Sequence, residues 1–258
     1  MQTPSQYQSY PESQPPQPGI PVTVRLRAQK PVVTYVLIGV TVFIYLLQYL
    51  SQFLSSGGYD WPFLLGGKIN ELILMGQVWR LVTPVLLHGS VLHIAFNMYA
   101  LYSLGNSMEG YYGHSRFLLL YIIGAFCGNT LSFVLSPSAS LGASTAIFAL
   151  VAAEGVFIYR NRSMFGTRAR SMLSNLVLIV VVNLVIGLQP GIDNWGHLGG
   201  LAGGVLFAWF AGPVLQVQTT YSGYELTDTS TKKNTLIGTL MSGGLFLAVV
   251  IGRFLAAS

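Results

Sequence analysis

Three stretches place polar side chains able to do chemistry inside otherwise apolar sequence. LLHGSVLHIAFNMYALYSLG carries His88, His93 and Asn97, LGASTAIFAL carries Ser144, and DNWGHLGGLAGG carries His197. A serine hydroxyl is a weak nucleophile until a neighbouring base takes its proton, and histidine is the side chain most often used for that transfer. On a helix His93 and Asn97 stand four residues apart, about 40° around the axis, so they share a face. His88 is about 140° from His93 and points elsewhere. Glu109 and Glu154 are the remaining carboxylates within apolar sequence. Each signal has a plain alternative. A lone serine in a membrane helix bonds its own preceding turn, a lone histidine packs, and a glutamate near a helix end snorkels or pairs with arginine.

The elements that must position these groups follow from composition. The chain has 258 residues, 52% hydrophobic and 8% charged, against about 25% charged in soluble domains. Such a chain cannot keep a water-facing surface, and lipid is its main solvent. Net charge is +5, which reads as cations on cytoplasmic loops rather than as a nucleic-acid footprint. The single cysteine, Cys127, excludes an internal disulfide framework and a multi-cysteine metal site. Residues 1–30, rich in Pro, Gln and Ser and containing QPPQP, read as a disordered tail without a cleavable signal peptide.

Apolar segments able to span recur at 31–54, 84–107, 116–135, 142–159, 172–188, 194–213 and 234–256. Backbone groups in lipid must be satisfied within the segment, so these are helices, and the expected fold is an all-α polytopic membrane bundle. Residues 55–83 form a long loop rich in large rings (Trp61, Phe63, Trp79), expected to lie partly in the interface. Residues 214–233 are polar and read as a cytoplasmic linker before the seventh helix, which occupies 234–258. No transporter-type internal repeat is visible. Alternate loops put Arg25, Arg27, Lys30, Arg116, Arg160, Arg162, Arg168, Arg170, Lys232 and Lys233 on one side, and Lys68, Arg80 and Arg253 on the other. The positive-inside rule then predicts a cytoplasmic N-terminus and an outward C-terminus.

With that topology the second, fourth and sixth helices all run inward, and His93, Asn97, Ser144 and His197 reach a similar depth near the outer face. A shared water-filled cavity accounts for polar groups gathered at one depth. A transporter or channel would instead spread them through the whole thickness. The sixth helix carries Gly196, Gly200 and Gly204 on one ridge and Gly199 and Gly203 on the next. The fourth helix presents Gly142, Ala146, Ala149, Ala152 and Ala153. Small residues at this spacing allow close backbone approach, which a short serine side chain needs to reach a histidine on another helix.

Together, WR (79–80), HGSVLHIAFN (88–97), GAST (142–145) and GHLGGLAGG (196–204) resemble the rhomboid intramembrane serine proteases. The resemblance spans residues 31–213 and implies a six-helix core plus one C-terminal transmembrane helix. It implies a Ser144–His197 dyad without a third acid, Asp193 being read as a solvated or helix-capping residue. It further implies oxyanion stabilisation by the Ser144 backbone N–H, His93 and Asn97. His88 takes the place of an upstream structural histidine, Phe148 that of an aromatic stacking on the catalytic histidine, and Arg80 and Glu109 those of loop and helix braces. The implied activity is endoproteolysis in or beside the transmembrane helices of membrane-protein substrates, with no cofactor and no metal. The implied partners are those substrates and the lipid bilayer, no nucleic acid, and oligomeric state is left open. A bacterial plasma membrane is the expected location. One departure is Thr145, where the family commonly has glycine; it adds a β-branched side chain where backbone room is needed for substrate. The competing reading is a catalytically dead relative that binds transmembrane clients.

Overall fold

The computed structural model describes residues 30–220 and 223–257. Apart from Lys30, the tail expected over residues 1–30 lies outside the described residues. In chain order the elements are α1 (Val32–Leu54), α2 (Trp61–Gly66), α3 (Asn70–Leu74), two turns of 3-10 helix over Val78–Leu81 and Thr83–Leu86, α4 (Val91–Tyr112), α5 (His114–Leu135), α6 (Ser144–Arg160), α7 (Arg162–Phe165), α8 (Arg168–Ile186), α9 (Asn194–Ala211), the strands β1 (Leu215–Thr220) and β2 (Gly223–Asp228), and α10 (Lys232–Leu255).

The protein is an all-α polytopic membrane bundle. Among the described residues α1, α5, α8 and α10 are long and apolar enough to cross a membrane, with mean hydropathies of 1.9, 1.9, 2.0 and 2.0. The helices holding His93, Asn97, Ser144 and His197, namely α4, α6 and α9, are shorter or less apolar. α9 is the hub, packed most extensively on α5 and α6 and also on α10. Lipid tails are as apolar as leucine, so this association rests on close van der Waals fit. Both glycine ridges of α9 supply it. A Cβ on Gly200 or Gly204 would lie 2.1 Å from the Thr145 carbonyl oxygen or 2.4 Å from that of Ala149, both on α6. A Cβ on Gly199 or Gly203 would lie 2.6 Å from the Cys127 carbonyl oxygen or 2.5 Å from Cys127 Cβ, both on α5. The second ridge therefore serves α5, a partner its spacing alone does not name.

Two sequence expectations are corrected. The second long helix begins at Val91 rather than near 84, because Pro84 sits in a 3-10 turn and Ser90 caps α4, its hydroxyl accepting from the His93 N–H at 3.2 Å. His93 is thus in the first turn of its helix. The expected linker at 214–233 contains an antiparallel hairpin, Leu215 opposite Asp228 and Thr220 opposite Gly223. Its order comes from distant partners: Arg116 donates to Asp228 at 2.5 Å, and the Asn161 side chain accepts from Leu215 N–H and donates to the Pro213 carbonyl.

The loop between α1 and α4 is also built. Arg80, buried, donates to the Gly67 and Leu64 carbonyls at 2.7 and 2.5 Å, satisfying the open C-terminus of α2. Lys68, fully buried, donates from Nζ to the Ser136 and Ser138 carbonyls at 3.0 and 2.8 Å, and its backbone bridges Ser140. The segment leading into Ser144 is thereby pinned at Lys68 and again where Gly142 N–H donates to the Pro84 carbonyl.

Burial lowers the Lys68 pKa from 10.5 to about 8. Below pH 8 the folded and unfolded chains both hold this proton and the cost of burying the charge is fully present. Between 8 and 10.5 the unfolded chain binds the proton that the native state has released, so stability rises with pH across that window. The melting temperature in detergent, taken relative to Lys68→Met, should therefore climb from pH 8 to 10. A difference that stays flat over this range would show that the amine is not desolvated.

Candidate active site

α6 starts abruptly. Gly142 has φ +131°, a conformation L side chains rarely adopt, and it turns the chain so that Ser144 is the first helical residue. The N–H groups of a first turn have no intrahelical partners, and the dipole there favours negative charge. α9 starts at the same end of the bundle. Asp193 caps it, Oδ1 accepting from Gly196 N–H at 2.9 Å, while Oδ2 accepts from the Ser132 hydroxyl of α5 at 2.5 Å. Both carboxylate oxygens are thus engaged away from His197, and Asp193 has a capping role.

Across the α6–α9 contact, Ser144 Oγ lies 3.0 Å from His197 Nε2. His197 is buried at 7% exposure and Ser144 is half-buried. The Phe148 ring, one turn along α6, stacks on the imidazole with centroids 4.2 Å apart and an interplanar angle of 7°. The ring leaves the imidazole little freedom to turn, holding the plane that points Nε2 at the hydroxyl. Nδ1 faces the Asn194 side-chain oxygen at 3.3 Å.

α4 brings up the third wall. A Cβ on Gly142 would sit 2.7 Å from His93 Nε2 and 3.7 Å from Ser144 Oγ. The space that glycine leaves open is therefore flanked by the histidine and the hydroxyl. Asn97 lies one turn down the same face and donates to the His93 carbonyl at 2.9 Å, leaving its second amide proton uncommitted among the described contacts. His88 is packed edge-on to His93, its ring centroid 4.9 Å away. Its ring accepts from Ala143 N–H at 3.4 Å, and its backbone N–H donates to the Gln48 side-chain oxygen of α1. It braces the turn before Ser144 and does not reach the hydroxyl.

Glu109 is remote from these groups, at the opposite end of α4. It is fully buried and accepts from Val33 N–H, Thr34 N–H and the Thr34 hydroxyl, with His114 Nδ1 at 2.5 Å. α1 has no cap of its own, since Pro31 precedes it. Glu109 supplies one from another helix. Two apolar grooves of about 430 and 400 Å³ lie along α1 at Trp61 and Pro62, apart from the dyad.

Thr145 differs from the sequence expectation. Its side chain is buried and turned away from Ser144, into the α5–α9 crossing. A Cβ on Gly128 would lie 2.5 Å from Thr145 Cβ, and one on Gly196 3.0 Å from Thr145 Cγ2. Two glycines on the neighbouring helices accommodate its bulk, which does not enter the space between His93 and Ser144. Sequence reasoning passed over Asn194. The signal was its place three residues before His197 on one helix, a spacing that puts the two on one face.

A family profile described as "Rhomboid domain" matches residues 75–214, more than half of the chain. Rhomboid protease GluP of Bacillus subtilis is 39% identical over 180 residues, covering 69% of this chain and 34% of the relative. RHOMBOID-like protein 9, chloroplastic, of Arabidopsis thaliana is 35% identical over 164 residues, 63% of this chain and 38% of the relative. RHOMBOID-like protein 2 of the same plant is 32% identical over 176 residues, 68% of this chain and 54% of the relative. The chain thus spans about a third to a half of the length of these curated relatives. The profile match covers His88, His93, Asn97, Ser144 and His197, and the chain belongs to the rhomboid family.

Proposed function

We propose that the protein is an intramembrane serine endopeptidase that hydrolyses peptide bonds in or next to transmembrane helices of membrane-protein substrates. The observation that carries this reading is the 3.0 Å contact between Ser144 Oγ and His197 Nε2 across two helices packed through glycine. His197 takes the hydroxyl proton as Ser144 Oγ bonds to the scissile carbonyl carbon. The tetrahedral oxyanion is met by the Ser144 backbone N–H, by His93 and by the free proton of Asn97. Loss of one such donor typically costs about 10²–10³ in kcat. His197 then returns the proton to the leaving amine as the C–N bond breaks. A water, deprotonated in turn by His197, releases the acyl group from Ser144 and restores the hydroxyl.

A substrate helix hides its carbonyls in its own hydrogen bonds. Segments with glycine or other weak helix formers unwind most easily and are the expected targets. The orientation is read from charge. Arg116, Arg160, Arg162, Arg168, Arg170, Lys232 and Lys233 lie at the end of the bundle opposite the dyad. The N-terminus is therefore assigned to the cytoplasm and the dyad to the outer half of a bacterial plasma membrane. The domain reading is a protease core over 31–213, a cytoplasmic connection at 214–233 and the seventh transmembrane helix at 234–258. The dead-relative reading loses its one support, because Thr145 packs away from the hydroxyl.

Fluorophosphonates label a serine only where a base activates it. The purified protein should be labelled at Ser144 and lose labelling in His197→Ala. Wild-type protein that stays unlabelled while remaining folded would favour the client-binding alternative.

A further inference from the structure

The dyad needs the tautomer of His197 that leaves Nε2 unprotonated, and no carboxylate of the described residues touches its other nitrogen. The geometry points to Asn194 as the positioning residue that sets this tautomer and makes it depend on the C-terminal end of α8. This rests on the Ser144–His197 reading above.

The chain of contacts has one consistent direction. Leu188 N–H donates to Val185, not to Leu184, at the end of α8. The Leu184 carbonyl is thus left without a helical partner. Asn194 Nδ2 donates to it at 3.0 Å. A carbonyl can only accept, so this bond fixes which way the amide faces and turns Oδ1 toward His197 Nδ1, 3.3 Å away. An amide oxygen can likewise only accept, so Nδ1 carries the proton and Nε2 presents its lone pair to Ser144. Gly187, the C-cap of α8, makes room for this arrangement. A Cβ there would lie 1.9 Å from Asn194 Oδ1, although its φ of −64° suits any residue. α8 is otherwise loosely held, Ala169 being the one buried residue over Arg168–Ile186. Near its end Gly187 is buried and Leu184 half-buried, while Val185, Ile186 and Leu188 are exposed. Displacement of this end would release the amide and with it the preference for the reactive tautomer.

The charged and titratable groups facing His197 are Asp193 at the cap of α9 and His93 from α4. α6 presents Ser144 and Phe148, α5 presents Ser132 to Asp193, and the end of α8 presents Leu184 and Gly187, none of which titrates there.

The test uses the full chain in proteoliposomes with a model transmembrane substrate, and Ser144→Ala as the blank. Asn194→Ala should lower kcat on the order of 10- to 100-fold with KM little changed. Asn194→Asp restores an acceptor for Nδ1–H, so it should recover part of that loss. Its carboxylate should also move the acid limb of the kcat profile up by about one pH unit or more. Gly187→Ala should match Asn194→Ala, and the double variant should be no worse than either. Nitrogen-15 spectra of His197 read the same proposal without turnover, with the proton on Nδ1 in wild type and shared between the nitrogens in Asn194→Ala. Wild-type kcat in Asn194→Ala, with cleavage still dependent on Ser144, would overturn it. So would an unchanged His197 tautomer in that variant. Failure of the wild type to cleave, with the tautomer shift intact, would count against the protease reading and not against Asn194.

Discussion

Replacing Ser144 or His197 with alanine is expected to lower cleavage of a transmembrane substrate on the order of 10⁴-fold or more. Without Ser144 no oxygen lies where the scissile carbonyl would be attacked, and water has no covalent route to replace it. Without His197 the hydroxyl remains, but its proton has no acceptor at 3.0 Å. Of the other polar groups nearby, Asn97 is turned onto the His93 carbonyl, His88 is engaged with Ala143 N–H, and His93, across the space over Gly142, makes no hydrogen bond to Ser144 among the described contacts. None of them is placed to substitute. Groups that act as one unit are not additive in their loss. The Ser144→Ala, His197→Ala double variant should therefore be no slower than either single one. Initial rates in proteoliposomes check both statements. A His197→Ala enzyme within about tenfold of wild type would mean that another base serves Ser144, since general-base catalysis contributes about 10²–10⁴. Folding is not at risk in Ser144→Ala, because the half-exposed hydroxyl bonds only to the histidine among the described contacts.

Much of this site was legible before any coordinates because helical periodicity turns spacing into direction. Phe148 follows Ser144 by one turn and stacks on His197. The α9 glycines recur at the interval of a contact ridge and carry backbone against backbone. What escaped was set by partners far apart in the chain. The hairpin over Leu215–Thr220 and Gly223–Asp228 reads as polar linker because its strands bury little. Its register is held instead by Arg116 and Asn161, in contacts that span 112 and 54 residues of sequence. Glu109 reads as a snorkelling or arginine-paired carboxylate, and the group it serves is the uncapped start of α1, 76 residues earlier. Apolar length alone places the start of α4 near 84, although the Gly89–Ser90 pair before Val91 is a capping signal. Length is a weak guide where Pro84 lets an apolar stretch run on as loop. Thr145 shows the same limit in reverse. From sequence its β-branched side chain reads as filling backbone room needed for substrate. Three-dimensional placement puts them against Gly128 and Gly196, so its bulk is matched by glycines on two other helices.

The distance between the two side chains of the proposed dyad is set by the backbones that carry them, and at Gly200 the two helices leave no room for a Cβ. A methyl group at that position would lie 2.1 Å from the Thr145 carbonyl oxygen and 3.0 Å from its carbonyl carbon, atoms that cannot rotate aside. An ordinary contact of about 3.4 Å or more needs the helices to separate by about 1 Å. The same displacement acts on Ser144, adjacent to Thr145, and on His197, one turn before Gly200. A shift of that size at the reacting atoms costs about 10²-fold. Gly200→Ala should therefore lose about 100-fold or more in kcat/KM and melt at a lower temperature, although alanine is the better helix former. Gly244→Ala is the matched control: it also lies within a helix, and its Cβ would meet nothing within 4 Å. That variant should keep full activity and gain slightly in stability. The two are compared by proteoliposome rates and by melting in detergent. A Gly200→Ala enzyme that cleaves like the Gly244→Ala control would mean that α6 and α9 can part without separating the dyad, and that close helix approach is not what aligns Ser144 with His197.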